Sequence, residues 1–443
     1  MLLVASLNKQ PATNNEELTT KKMNKATLWA GVGVAAVAHM GAAHFAQEVA
    51  WSLAKVFEKV LFLTTLTPDG RDPAAAALRM LGKGKRRVSL PPGGEICTYP
   101  WREMVRLVQG KLDPDEIRRD ALFHWAMDGF DRFVARGIAG RKTAQKLELV
   151  YGYETMCGQT FRAAKEQGVK TVLDLPSPEH DYVENLLWRE YEKFPVLLTP
   201  ARRRFRELQA ERTAKRHEEF RRADLVVANS SLTARTWAAA GLDGKKIATV
   251  PLAGPEPDPR GAEGGTRGKG PLRLVWAGTF SVRKGGHLLA EAWRGWKGRG
   301  DTELEVYGSV SLPEGVRVRD LEGVKWHGPV ARERVLEAFR QADLLVFPTL
   351  CDGFGLVVAE ALSQGLPVLT TRQAGAADLI TEGENGFLVE AGSVEALRGK
   401  LEEIRGQRER LREMRPACLK TAEGNSQSSY QKTLTERIRA VLR

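Results

Sequence analysis

Glu360 stands in the run Leu356-Val-Val-Ala-Glu360-Ala-Leu, whose apolar character predicts a buried helix. A carboxylate buried there without a partner costs several kcal/mol, so it requires either a salt bridge or a polar ligand. Just upstream, the apolar strand Asp343-Leu-Leu-Val-Phe leads through Pro-Thr-Leu-Cys to Asp352-Gly353-Phe354-Gly355. The two glycines let the backbone approach a ligand closely, and the helix they open offers free N–H groups and a positive dipole end, which suits a phosphate. A phosphate carrying a hydroxyl-bearing sugar would satisfy both features.

A second strand and turn supply cations. Leu274-Val-Trp-Ala-Gly278-Thr279-Phe-Ser-Val-Arg283-Lys284-Gly285-Gly286 reads as a strand, a glycine turn and an Arg-Lys-Gly segment opening a helix. Downstream come Gln-Gly365-Leu-Pro367-Val-Leu-Thr-Thr, Ala374-Gly375-Ala-Ala-Asp378 and Glu-Asn385-Gly386. In this order the segments resemble the donor half of the group 1 glycosyltransferases, also called glycosyltransferase family 4. Those are retaining enzymes of the GT-B fold, and the resemblance runs over residues 145–400.

The resemblance implies an α/β chain with two Rossmann-like domains facing across a cleft and a C-terminal helix crossing back to the first domain. It implies transfer of a sugar from a nucleoside-diphosphate-sugar, a co-substrate, to a hydroxyl of a glycan, lipid or small molecule, with no cofactor and no metal. Lys284 and Arg283 would face the diphosphate with Gly278, Thr279, Gly41 and the amides of Phe354, Gly355 and Leu356. Glu360 would hold the ribose hydroxyls and Asp352 the transferred sugar, while His180, after Asp174-Leu-Pro-Ser-Pro-Glu, would touch the sugar or the diphosphate edge. Two departures fall on these residues. Asp352 stands where the family usually has Glu, an arm shorter by about one methylene, which bears on sugar preference. Thr279 stands where Arg is common, leaving the cationic work to Lys284 and Arg283. A sugar-nucleotide binder without transferase activity, and a related epimerase or phosphorylase, are the alternatives.

At 443 residues the chain exceeds what one core usually serves, so two domains are expected. Hydrophobic content of 42% and charged content of 28% exclude a disordered or coiled chain. Cys97, Cys157, Cys351 and Cys418 form no CxxC pair, which favours a reducing, cytoplasmic setting and no structural zinc. The net charge of +12 concentrates at Lys83, Lys85, Arg86 and Arg87, and again from Arg202 to Arg222. That second segment also carries Glu207, Glu211, Glu218 and Glu219, consistent with a solvated helix laced with i,i+4 pairs, or with a peripheral contact on an anionic membrane. No nucleic-acid motif accompanies the charge.

The elements that must hold these residues are read as follows. Residues 1–24 form a loose tail, 25–252 the acceptor-side domain, 253–270 a Gly- and Pro-rich linker, 271–424 the donor domain and 425–443 the crossing helix. The uncharged stretch from Ala26 invites a signal or membrane-span reading, yet its glycines and histidines favour strand, glycine loop and helix. Gly31-x-Gly33-x-x-Ala36 also matches a dinucleotide fingerprint, although no acid ends the following strand. Residues 95–145 read as helical, with Trp101, Trp125 and Phe130 as core aromatics. Tyr151-Gly152-Tyr153-Glu154 ends a strand and shapes an acceptor pocket or its wall. Ser230 or Ser231 caps a helix, and Tyr430, Leu434, Ile438 and Leu442 mark the terminal amphipathic one.

Overall fold

The computed structural model describes residues 33–41, 43–66, 88–140, 147–266, 270–316 and 318–443. The tail, Gly31 and the basic cluster Lys83 to Arg87 lie outside the described residues.

Two parallel sheets organise the chain. The first contains β1 (Val34–Ala38), β2 (Lys59–Thr64), β3 (Glu95–Thr98), β4 (Leu147–Tyr153), β5 (Lys170–Leu175), β6 (Leu225–Ala228) and β7 (Ile247–Thr249) in the order β3-β2-β1-β4-β5-β6-β7. The second contains β8 (Arg273–Ala277), β10 (Glu303–Tyr307), β12 (Val324–Gly328), β13 (Leu344–Phe347), β14 (Val368–Thr371) and β15 (Gly386–Val389) in the order β12-β10-β8-β13-β14-β15. The short pair β9 (Phe280–Ser281) and β11 (Val310–Ser311) stands apart. The interior strands are nearly continuous apolar runs because helices cover both faces of each sheet. Val-Ala-Ala-Val-Ala of β1 and Leu-Leu-Val-Phe of β13 are buried along their whole length.

Strand order reverses between β1 and β4 in the first sheet, and between β8 and β13 in the second. At such a switch point the loops leave to opposite faces and open a crevice beyond the carboxyl ends of the strands. The loops after β8 and β13 are the two segments whose residues opened the sequence reading.

Helix Gln427–Leu442 returns to the first domain as expected. Tyr430, Leu434 and Ile438 join that domain's core, and Gln431 donates 2.9 Å to Glu48 of helix His44–Leu53. The linker is more than a tether, because buried Arg415 donates to the carbonyls of Gly261, Arg340 and Ala342 at 2.7, 3.0 and 3.1 Å.

Three expectations are corrected. The segment 95–145 is not all helical, since β3 pairs along the edge of β2 before helices Trp101–Leu112 and Glu116–Ala139. Phe130 is buried, but Trp101 and Trp125 are 77% and 39% exposed: the first helix buries Glu103 on the side opposite Trp101, and Trp125 lies on the second helix beneath the Arg102 guanidinium. The dinucleotide fingerprint also fails: Gly33 precedes β1 and Ala36 lies inside it, whereas the glycines of that motif must follow the strand.

Candidate functional site

A cavity of about 630 Å³ lies between the two sheets. The second domain contributes Gly278, Arg283, Lys284, Arg332, Asp352, Phe354, Gly355, Leu356 and Glu360 to its lining. Phe45, Asp174, Pro176 and Asn229 come from the first.

Local backbone geometry explains the second-domain wall. Gly278 follows β8 with φ +115°, and a Cβ there would approach the Lys284 ammonium to 3.3 Å. Gly285 has φ +77°, and a Cβ would lie 1.9 Å from the Pro348 carbonyl, so only glycine lets the Arg283-Lys284 turn seat against the loop after β13. Gly355, at φ +86°, begins helix Leu356–Ser363 without a capping side chain, leaving the first-turn N–H groups available to a ligand.

Lys284 Nζ sits 3.9 Å from Asp352 Oδ2 and 5.6 Å from the centre of the Phe347 ring. Burial pushes its ammonium below its ordinary value, against the pull of Asp352. Arg283 approaches the same Asp352 oxygen to 3.3 Å and donates to the Cys351 carbonyl at 3.0 Å. Asp352 is therefore the counter-ion of both cations, a pairing that its expected place beside the sugar did not foresee. An incoming diphosphate would have to share those cations with it.

Glu360 is less buried than its apolar neighbours predicted, and of the two expected partners, a salt bridge or a ligand, the fold supplies the salt bridge. It is 20% exposed at the cavity and accepts from Arg332 Nε at 2.7 Å, while Arg332 itself is 59% exposed. Helix Leu356–Ser363 turns Glu360 toward helix Arg332–Gln341, and only the packing of those two helices shows it.

His180 is a second correction. It is the first residue of helix His180–Lys193 and its Nδ1 lies 2.7 Å from Thr213 Oγ1, turned toward helix Gln209–Arg222 and not among the cavity-lining residues. Burial, then the charge of Arg216, lowers its pKa to about 3, so it is neutral. Gly41 and Thr279 are likewise exposed and outside the lining, although their neighbours Phe45 and Gly278 belong to it. The basic segment is no simple solvated face: Arg212, Lys215 and Arg216 pair with Asp120, Asp128 and Glu154 of other elements.

Asp174 is the residue sequence reasoning missed. It is the penultimate residue of β5, is 7% exposed, lines the cavity and accepts from the Tyr151 hydroxyl at 2.6 Å. Burial raises its pKa to about 7 despite that bond. Its signal in the sequence was a carboxylate one residue short of a strand end, in a fold whose strand ends bind ligands. Asn229 donates 2.9 Å to the Pro176 carbonyl, and Ser230 caps helix Ser231–Ala239 through Thr233 N at 3.1 Å. Ser230 also donates 2.6 Å to the Gly353 carbonyl of the other domain, and Ser231 N donates 2.8 Å to Asp378. These serines thus cap and also join the domains across the cleft.

Two facing parallel sheets, a cleft at both switch points and the crossing terminal helix define the GT-B fold. Solved structures agree: the chain aligns with sucrose-phosphate synthase from Thermosynechococcus elongatus at a TM-score of 0.63 and 15% identity, covering 92% of this chain and 98% of that one. Anabaena HepE in complex with UDP aligns at 0.57 and 16%, covering 92% and 99%. Residues 271–405 match the family model described as Glycosyl transferases group 1. Among curated relatives, the capsular polysaccharide biosynthesis glycosyltransferase CapM of Staphylococcus aureus is 41% identical over 133 residues, 29% of this chain and 35% of that protein. A D-inositol 3-phosphate glycosyltransferase of Streptomyces griseus is 36% identical over 92 residues, 20% of each. The matched stretch thus spans between a fifth and about a third of these relatives' length.

Proposed function

We propose that the cleft transfers a sugar from a nucleoside-diphosphate-sugar to an acceptor hydroxyl, with retention at the anomeric carbon and without a divalent metal. The observation that carries this is the meeting of Lys284, Arg283, an uncapped helix start and Glu360 on one cavity wall, from segments some seventy residues apart in sequence. As the anomeric carbon–oxygen bond breaks, negative charge grows on the departing diphosphate. Lys284, Arg283 and the amides at Gly355 and Leu356 are fixed beside it and need little reorganisation. Glu360 accepts from the ribose hydroxyls. A nucleoside diphosphate in this place is consistent with HepE, whose structure holds UDP in the same fold.

Asp174 stands on the opposite wall, where an acceptor would enter. Ionised, it accepts a hydrogen bond from a second hydroxyl of the acceptor and so orients the attacking oxygen toward the anomeric carbon, leaving that oxygen's own proton to the diphosphate. In retention the new bond forms on the face the diphosphate vacates, so a diphosphate oxygen is in reach of the hydroxyl proton.

A thermal-shift screen of UDP, GDP and ADP, followed by turnover of the corresponding nucleotide sugars and the anomeric configuration of the product by NMR, tests the proposal. Binding of a donor that is never consumed by any acceptor would favour the second reading, a sugar-nucleotide binder, which the Asp352 pairing with both cations supports.

A further inference from the structure

Helix Trp101–Leu112 is inverted. Its buried residue is Glu103, held by Arg106 through bonds of 2.7 and 2.5 Å. Trp101, Val105, Val108 and Leu112, at i, i+4, i+7 and i+11, share one face and are 77%, 41%, 43% and 74% exposed. The patch continues onto the neighbouring helix through Phe123 and Trp125, with Arg106 and Arg102 lying 5.8 and 4.5 Å over their rings. A helix that turns its apolar stripe to solvent and its carboxylate to the interior leaves an apolar surface that no described residue covers, the kind of patch that marks an interaction site.

The charges around the patch select the partner. Asp113 is paired with Arg118 at 3.0 Å and Glu116 lies 3.9 Å from Arg202. Lys111 on this helix and Arg119, which packs beside Gly110, are exposed and have no carboxylate at ion-pair distance among the described residues. An apolar stripe bordered by unpaired cations fits the boundary between acyl chains and anionic headgroups. A two-fold contact between copies would instead bring each cation near its own kind. The helix starts just beyond the carboxyl end of β3, the end of the sheet where the cleft opens.

We propose that this face docks the protein on a bilayer bearing anionic headgroups, placing the cleft next to the lipid surface. The inference does not depend on the donor reading. Flotation of the full chain with vesicles of phosphatidylcholine, and with vesicles containing about one-third phosphatidylglycerol, is the test. The chain should float with the anionic vesicles. Trp101→Ser with Leu112→Ser should lower the bound fraction about tenfold with unchanged circular dichroism, since both side chains are exposed. Lys111→Glu with Arg119→Glu should lower it comparably in low salt and serves as the independent variant should the first not fold. A wild-type chain that stays unbound, folded variants that bind as well as wild type, or a dimer that the Trp101 and Leu112 substitutions dissolve would each overturn the proposal.

Discussion

Replacing Lys284 by Ala removes the more enclosed of the two cations while leaving its neighbours in place. A phosphate oxygen about 4 Å from Nζ gains about 4 kcal/mol at an effective dielectric near 20. Asp352, 3.9 Å away, offsets part of that attraction in the free chain. About 3 kcal/mol of barrier is therefore at stake, or roughly a hundredfold in turnover. Folding should change little: Asp352 keeps Arg283 at 3.3 Å, and the Lys284 side chain is already 23% exposed. A loss below about 1 kcal/mol corresponds to a melting shift of roughly 2–4 °C. The assay pairs steady-state release of nucleoside diphosphate from the preferred nucleotide sugar with calorimetry of the diphosphate and its parent nucleoside. Affinity for the diphosphate should fall and that for the nucleoside should hold. Undiminished turnover in a folded variant, or equal loss for diphosphate and nucleoside, would refute the placing of Lys284 at the phosphates.

Glu360→Gln should weaken nucleotide binding while lowering stability by less than about 1 kcal/mol, because its Arg332 partner is 59% exposed; a large melting loss with unchanged affinity contradicts this. Gly353→Ala should slow turnover on the order of a hundredfold, since a Cβ would lie 2.0 Å from the Pro176 carbonyl of the facing domain and hold the cleft open. Small-angle scattering should show the wider particle, and an unchanged kcat would count against a role for closure. The folded chain holds the Asp174 proton more tightly than the unfolded chain, whose value is about 3.9, so stability is fullest below about pH 4 and falls as pH rises toward 7. Asp174→Asn should therefore melt higher than wild type at pH 8, by at most about 4 kcal/mol, converge with it near pH 4, and lose the rise in turnover through pH 7. Identical pH profiles would remove Asp174 from the acceptor site. Chelation should leave turnover largely intact, because Lys284 and Arg283 stand where a metal would serve; loss in EDTA restored by magnesium or manganese would contradict this.

The sequence by itself determined the parallel α/β architecture and the glycine turns that line the second-domain side of the cavity. Apolar runs such as Leu344–Phe347, bounded by turn residues, read as strands covered on both faces, and Gly285 and Gly355, at φ +77° and +86°, are the residue type that a left-handed turn requires. The crossing helix was legible for the same reason, as its four-residue repeat of Tyr430, Leu434 and Ile438 is local. Side-chain direction was not. Glu360 meets Arg332 across 28 residues, Asp174 meets the cleft only where two sheets face, and His180 turns to Thr213 across 33. Trp101 and Trp125 looked like core because large aromatics usually are, and only the packing of their hairpin left them outside. Local spacing decides which elements form, because backbone hydrogen bonds and φ preferences act within a few residues. Where a charged or aromatic side chain at the edge of an element points is decided by the neighbour packed against it, and that neighbour is brought there by the tertiary fold.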